Sequence, residues 1–129
     1  VTITPDNQES DMTQATIYHN PRCSKSRETF KLLEAHGVQI NEVRYLETPP
    51  SKPELKQLCD MLNLKPLQII RTKESLFKEL GLSAQDNRSD DAWLDILAEH
   101  PQLIERPIVV IGKRAVIGRP PENILALLQ

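Results

Sequence analysis

"TIYHNPRCSKSRETF", Thr16–Phe30, changes character twice along its length. An apolar run ends at His19 and reads as a strand, Ala15–His19. Asn20-Pro21 turns the chain, because proline disfavours helix in the residue before it. A helical period then runs from Ser24 to His36, with Phe30 and Leu33 on one face and Gly37 as the stop. Cys23 stands at the junction, four residues after His19 and flanked by Arg22 and Arg27.

Outward from this unit, Val38–Leu46 is apolar and β-branched enough for a second strand, broken by Thr48-Pro49-Pro50. Ser51-Lys52-Pro53-Glu54 has capping-box spacing with proline in the first helical turn. Leu55, Leu58, Cys59 and Leu62 follow on one helical face. Lys65–Ile70 reads as a short helix and Lys73–Leu80 as another, stopped by Gly81. Ser89 caps a helix to His100, with Trp93, Ile96 and Leu97 inward and Pro101 ending it. The period then changes to two. "PIVVI" and "RAVIG" flank Gly112-Lys113, a pair suited to a type II′ hairpin. Pro120 or Pro121 opens a last helix bearing Ile124, Leu125 and Leu128.

The order is β-α-β, helices, β-β-α. A right-handed βαβ unit followed by a hairpin makes an α/β fold: a four-stranded mixed sheet of thioredoxin-like topology, with a helical insertion at about residues 51–100. Residues 1–14 read as a polar flexible tail and 15–129 as a single domain. Cys23 then falls at the carboxyl end of the first strand, where α/β sheets place ligands.

Bulk properties narrow the function. Sixteen Lys and Arg against eighteen Asp and Glu give a net charge of −2, which lacks the basic excess of a nucleic-acid binder. No apolar run reaches the roughly 20 residues of a membrane span, and the start has no signal-peptide apolar core. Two cysteines make no disulfide framework. The expected setting is the reducing cytoplasm, with no nucleic-acid or membrane partner. His19-x-x-x-Cys23 has no second ligand pair at suitable spacing, so no metal is expected.

A thiol reacts as its thiolate. The helix amino terminus presents free N–H groups and a positive dipole end. Arg22 and Arg27 add charge, Ser26 is placed to donate a hydrogen bond to the sulfur, and His19 to organise the loop. The same groups suit an anion. Cys23 is therefore expected to be a nucleophile aimed at an anionic substrate. Cys59, on an apolar helical face, reads instead as a buried small hydrophobe.

"YHNPRCSKSR", "RYLETPPS", "ERPIVV" and "GRPPE", in that order, resemble the glutaredoxin-coupled arsenate reductases over residues 15–128. The resemblance implies a thioredoxin-like fold with Cys23 as the attacking thiolate. It implies that His19, Ser26 and Arg27 tune the thiol and its loop, that Arg71, Arg106 and Arg119 hold the oxyanion, and that the Arg106-Pro107 bond is cis. It further implies no bound cofactor, glutathione as co-substrate and glutaredoxin as the partner that clears the mixed disulfide. The chain departs from the best-known members at Arg22, where some carry Ala, and at Ser24-Lys25, where they carry Gly-Thr. Two other readings compete: a glutathione-dependent reductase of another substrate, and a polymerase-binding regulator of the Spx type. The latter's C-x-x-C switch is missing, since Ser26 holds the second position. A tyrosine-phosphatase-like loop would need arginine where Thr29 stands.

Overall fold

The computed structural model describes residues 13–128; the polar segment before Thr13 lies outside the described residues. The chain divides into two compact units. The first joins its two ends, up to Val43 and from Arg106; the second is Arg44–Glu105.

In the first unit, β1 (Gln14–His19) leads through the Asn20–Cys23 turn into helix α1 (Ser24–Ala35), then β2 (Gln39–Arg44). After the helical unit come β3 (Ile108–Ile111), β4 (Arg114–Ile117) and a 3-10 helix, Pro121–Leu127. The sheet is mixed, in the order β2-β1-β3-β4. β3 runs antiparallel to β1, pairing Ile17 with Val109, and antiparallel to β4, pairing Val109 with Val116. Gly112 has φ +64° at the β3–β4 turn and Lys113 stays at negative φ, as a type II′ hairpin needs. Ile17, Leu33, Val109 and Ile124 are fully buried at the centre of the core.

The sequence reading needs three adjustments here. Gln14, placed in the tail, is the first residue of β1. The second strand is shorter than Val38–Leu46, because the chain turns after Arg44. The last helix winds as 3-10, so the buried set is Pro121, Ile124 and Leu127 rather than Ile124, Leu125 and Leu128. Three residues per turn stack every third side chain on one face.

Two proline bonds are cis, the expected Arg106-Pro107 and also Arg119-Pro120. Between these prolines, Gly118 donates its N–H to the Pro107 carbonyl at 2.8 Å. A Cβ at Gly118 would stand 2.7 Å from Thr29 Oγ1 and 3.0 Å from Pro107 Cγ. Thr29 is itself fully buried, with its hydroxyl on the Gly118 carbonyl at 3.3 Å. Neither neighbour has room to yield, so Gly118→Ala should destabilise by about 1–3 kcal/mol, the usual cost of overpacking. A urea unfolding midpoint equal to that of the parent would contradict this.

The second unit is helical: α2 (Lys52–Leu62), a 3-10 turn at Pro66–Ile69, α3 (Ser75–Glu79), α4 (Asp90–Glu99) and a 3-10 turn at Pro101–Leu103. Ser51 caps α2 by accepting from the Glu54 N–H, and Ser89 caps α4 by accepting from Ala92. Leu55, Leu58, Trp93 and Leu97 form its interior, with Phe77 stacked on Trp93 at 6.2 Å. An antiparallel bridge, Ile70 to Ile104, is flanked by Arg71 N–H to the Leu103 carbonyl and Glu105 N–H to the Ile69 carbonyl. This unit begins and ends slightly outside the expected 51–100, because that bridge and the Arg44–Tyr45 turn belong to it.

Candidate active site

Cys23 occupies the N-cap of α1, in extended conformation (φ −91°, ψ 126°), and its side chain makes no capping bond. Asn20 shapes the turn. Its carbonyl accepts the Cys23 N–H at 2.9 Å, and its side-chain oxygen accepts the Arg22 N–H at 3.0 Å. Its own N–H donates to Ser26 Oγ at 3.3 Å. The thiol is left half-buried, at a helix start whose first N–H groups have no intrahelical partner.

Partial burial pushes the Cys23 thiol up. The Ser26 backbone N–H, the charge of Arg106, the Lys25 backbone N–H and a hydrogen bond from the Arg106 side chain all push it down, and together they prevail. The net shift is below the ordinary thiol value, which raises the thiolate fraction at neutral pH.

Two expectations gain detail from this geometry. Ser26 acts through its backbone N–H, while its buried hydroxyl serves the turn by accepting from Asn20. The charge at the sulfur comes from Arg106, far along the sequence, and neither Arg22 nor Arg27 contributes to the shift. Arg27 is spent on the turn, donating from Nη1 to the Pro21 carbonyl at 2.9 Å. Adjacency in sequence misleads here, because β3 pairs antiparallel with β1, Tyr18 opposite Ile108, so the residues that lead into β3 lie beside the turn that follows β1.

Arg106 is the residue on which the site turns. Its positive charge lowers the Cys23 thiol pKa, yet its Nε and Nη1 are buried with no hydrogen-bond partner among the described residues. Buried donors of a charged group are costly to leave unpaired. Arg119, exposed, donates from Nη1 to the Arg106 carbonyl at 3.3 Å, which places its guanidinium against the Arg106 backbone. Pro107 follows Arg106 into β3, buried and cis.

His19 ends β1 one residue before the turn. It is buried, packs on Phe30 with ring centroids 5.2 Å apart, and holds Nε2 3.7 Å from the Glu42 carboxylate on β2. Glu42 was missed in the sequence, where only strand adjacency would have pointed to it. Arg71 belongs to the helical unit, directly after the Ile70 bridge, and pairs through Nη1 with Glu74 at 2.7 Å. Cys59 is buried in the same unit, and burial, with Asp60 and Asp90, pushes its thiol up to about 11.

The two thiols should therefore titrate far apart. Alkylation by iodoacetamide should rise with pH through a midpoint below that of a free thiol, and peptide mapping should find the label on Cys23. A midpoint at or above ~8.5 for Cys23 would remove the activation described here.

A mixed sheet in this order, carrying its low-pKa thiol at the first strand–helix turn, is that of a thioredoxin-like protein. Within that class, residues 18–127 match the ArsC family, and the chain belongs to it. An arsenate reductase from Neisseria meningitidis serogroup A is 48% identical over 118 residues, covering 91% of this chain and 100% of the relative. An arsenate reductase from Escherichia coli is 39% identical over 117 residues, covering 91% of this chain and 82% of its own. The solved arsenate reductase from Vibrio cholerae superposes with a TM-score of 0.86 at 50% identity, over 90% of this chain and 98% of that one. No helix among the described residues is long and apolar enough to cross a membrane.

Proposed function

We propose that the chain reduces arsenate to arsenite through the Cys23 thiolate, with glutathione as co-substrate and glutaredoxin as the regenerating partner. The observation that carries this reading is the Arg106 side chain, whose charge holds the Cys23 thiol pKa down and whose Nε and Nη1 are buried with no hydrogen-bond partner among the described residues. A tetrahedral oxyanion supplies what those donors lack, and guanidinium forks match its geometry. Arg119 is a further oxyanion ligand in this reading. His19, Ser26 and Arg27 keep the Asn20–Cys23 turn in shape.

The reaction runs as a relay of three thiols. The Cys23 thiolate bonds to As(V) and displaces one oxygen, which leaves as water after protonation. The glutathione thiolate then attacks the Cys23 sulfur of the adduct. A sulfur–sulfur bond forms, and the electron pair of the sulfur–arsenic bond stays on arsenic, which departs as arsenite. Arsenic gains two electrons, and the two sulfurs each lose one. A glutaredoxin thiolate takes the glutathione from Cys23 and returns the thiolate.

No second thiol is needed from the chain. Cys59 is buried with a raised pKa, and a buried apolar thiol is a poor nucleophile. Steady-state turnover should require arsenate, glutathione and glutaredoxin together, and should stall with thioredoxin alone. Cys59→Ser should keep the rate within about twofold, an order-of-magnitude expectation for a group outside the chemistry. Full turnover with thioredoxin alone, or a folded but inactive Cys59→Ser variant, would contradict the proposed relay.

A further inference from the structure

We infer that Arg22 anchors a carboxylate of the thiol co-substrate that attacks at Cys23, an inference that rests on the reading of glutathione as that co-substrate.

The cations around the thiol divide by what they already hold. Arg106 serves the thiol, Arg119 the Arg106 carbonyl, and Arg27 the Pro21 carbonyl. Lys25 is paired with Glu28 at 3.8 Å. Arg22 is exposed, and its guanidinium has no hydrogen-bond or carboxylate partner among the described residues. Its backbone, by contrast, is pinned by the 3.0 Å bond to Asn20 Oδ1. The side chain therefore starts from a defined point beside Cys23 and contributes nothing to the thiol's own activation.

Glutathione is a tripeptide with its thiol on the middle residue and a carboxylate at each end. When that thiol reaches the Cys23 sulfur, its carboxylates lie about one residue to either side, ~3.3–3.6 Å per residue along the backbone. Arg22 Cα is ~3.8 Å from Cys23 Cα, and its long side chain spans the remaining gap. A guanidinium is the best carboxylate partner among side chains. Arsenate does not need this residue, because the proposed function gives it the unpartnered donors of Arg106.

Thiol–disulfide exchange tests the anchor without arsenate. The Cys23 thiolate attacks glutathione disulfide, a Cys23–glutathione bond forms, and one glutathione thiolate leaves with the electron pair. Rate constants are measured for the parent and Arg22→Ala with glutathione disulfide and with bis(2-hydroxyethyl) disulfide, which has no carboxylate. Arg22→Ala should slow the first reaction about twofold to fivefold, as suits an exposed charge pair, and leave the second unchanged. The difference should vanish near 1 M salt, where the Debye length is about 3 Å. Iodoacetamide reactivity should match in both proteins. Equal slowing with both disulfides, a salt-independent effect, or no effect at all would overturn the anchor. If Arg22-dependent exchange holds while the parent reduces no arsenate, the anchor stands and arsenate falls as the substrate.

Discussion

Cys23→Ser should fold like the parent and reduce no arsenate. The expected fall is about 10⁴-fold or more, as for the loss of a covalent nucleophile, and in practice reaches assay background. The reason is chemical: a serine oxygen cannot form the disulfide that delivers two electrons to arsenic. The fold should not suffer. Cys23 is the N-cap of α1, and serine is among the best residues for that position, by about 0.5–2 kcal/mol over alanine. The inactive variant should thus melt at or above the parent's temperature. Residual turnover within tenfold of the parent would rule Cys23 out as nucleophile, and a lowered melting point would show that the thiol holds the loop.

Arg106→Ala should cost about 10²–10³-fold in kcat/KM for arsenate, the range seen when a donor to a developing oxyanion is removed. Two losses combine. The thiol loses a nearby positive charge and a hydrogen bond, so its pKa rises and the thiolate fraction at neutral pH falls. The substrate loses the donors Nε and Nη1. The rate loss should shrink as pH rises and the thiol ionises, leaving the part due to binding. Stability should change little, because Nε and Nη1 have no protein partner to strand. Arg106→Lys should recover the charge without the fork and regain only part of the rate. A variant that unfolds, or one that keeps full activity at neutral pH, would show that Arg106 is structural.

Much of the fold was legible because its signals are local. The Asn20-Pro21 turn, the Ser51 and Ser89 caps and the Gly112-Lys113 hairpin each act within a few residues, and each stands as read. The terminal helix was misread for a local reason too. Its leucines suit an α period as well as a 3-10 period, and packing of Pro121, Ile124 and Leu127 decides between them. The site was legible in part. Cys23 stands out because a helix start is a rare address for a thiol. Its electrostatics were assigned to Arg22 and Arg27 by proximity in sequence, whereas the charge belongs to Arg106. The hydroxyl of Ser26 and the carboxylate of Glu42 were out of reach for the same reason: their roles depend on which atoms the turn and the β1–β2 pair bring into contact.

The relay is tested most directly by the intact mass of the protein after one turnover with arsenate and glutathione, quenched by acid before glutaredoxin is added. The protein should carry the mass of a single glutathione, peptide mapping should place it on Cys23, and arsenite should appear in equal amount. A Cys23–Cys59 disulfide, glutathione on Cys59, or arsenite released with no mass added to Cys23 would contradict the account.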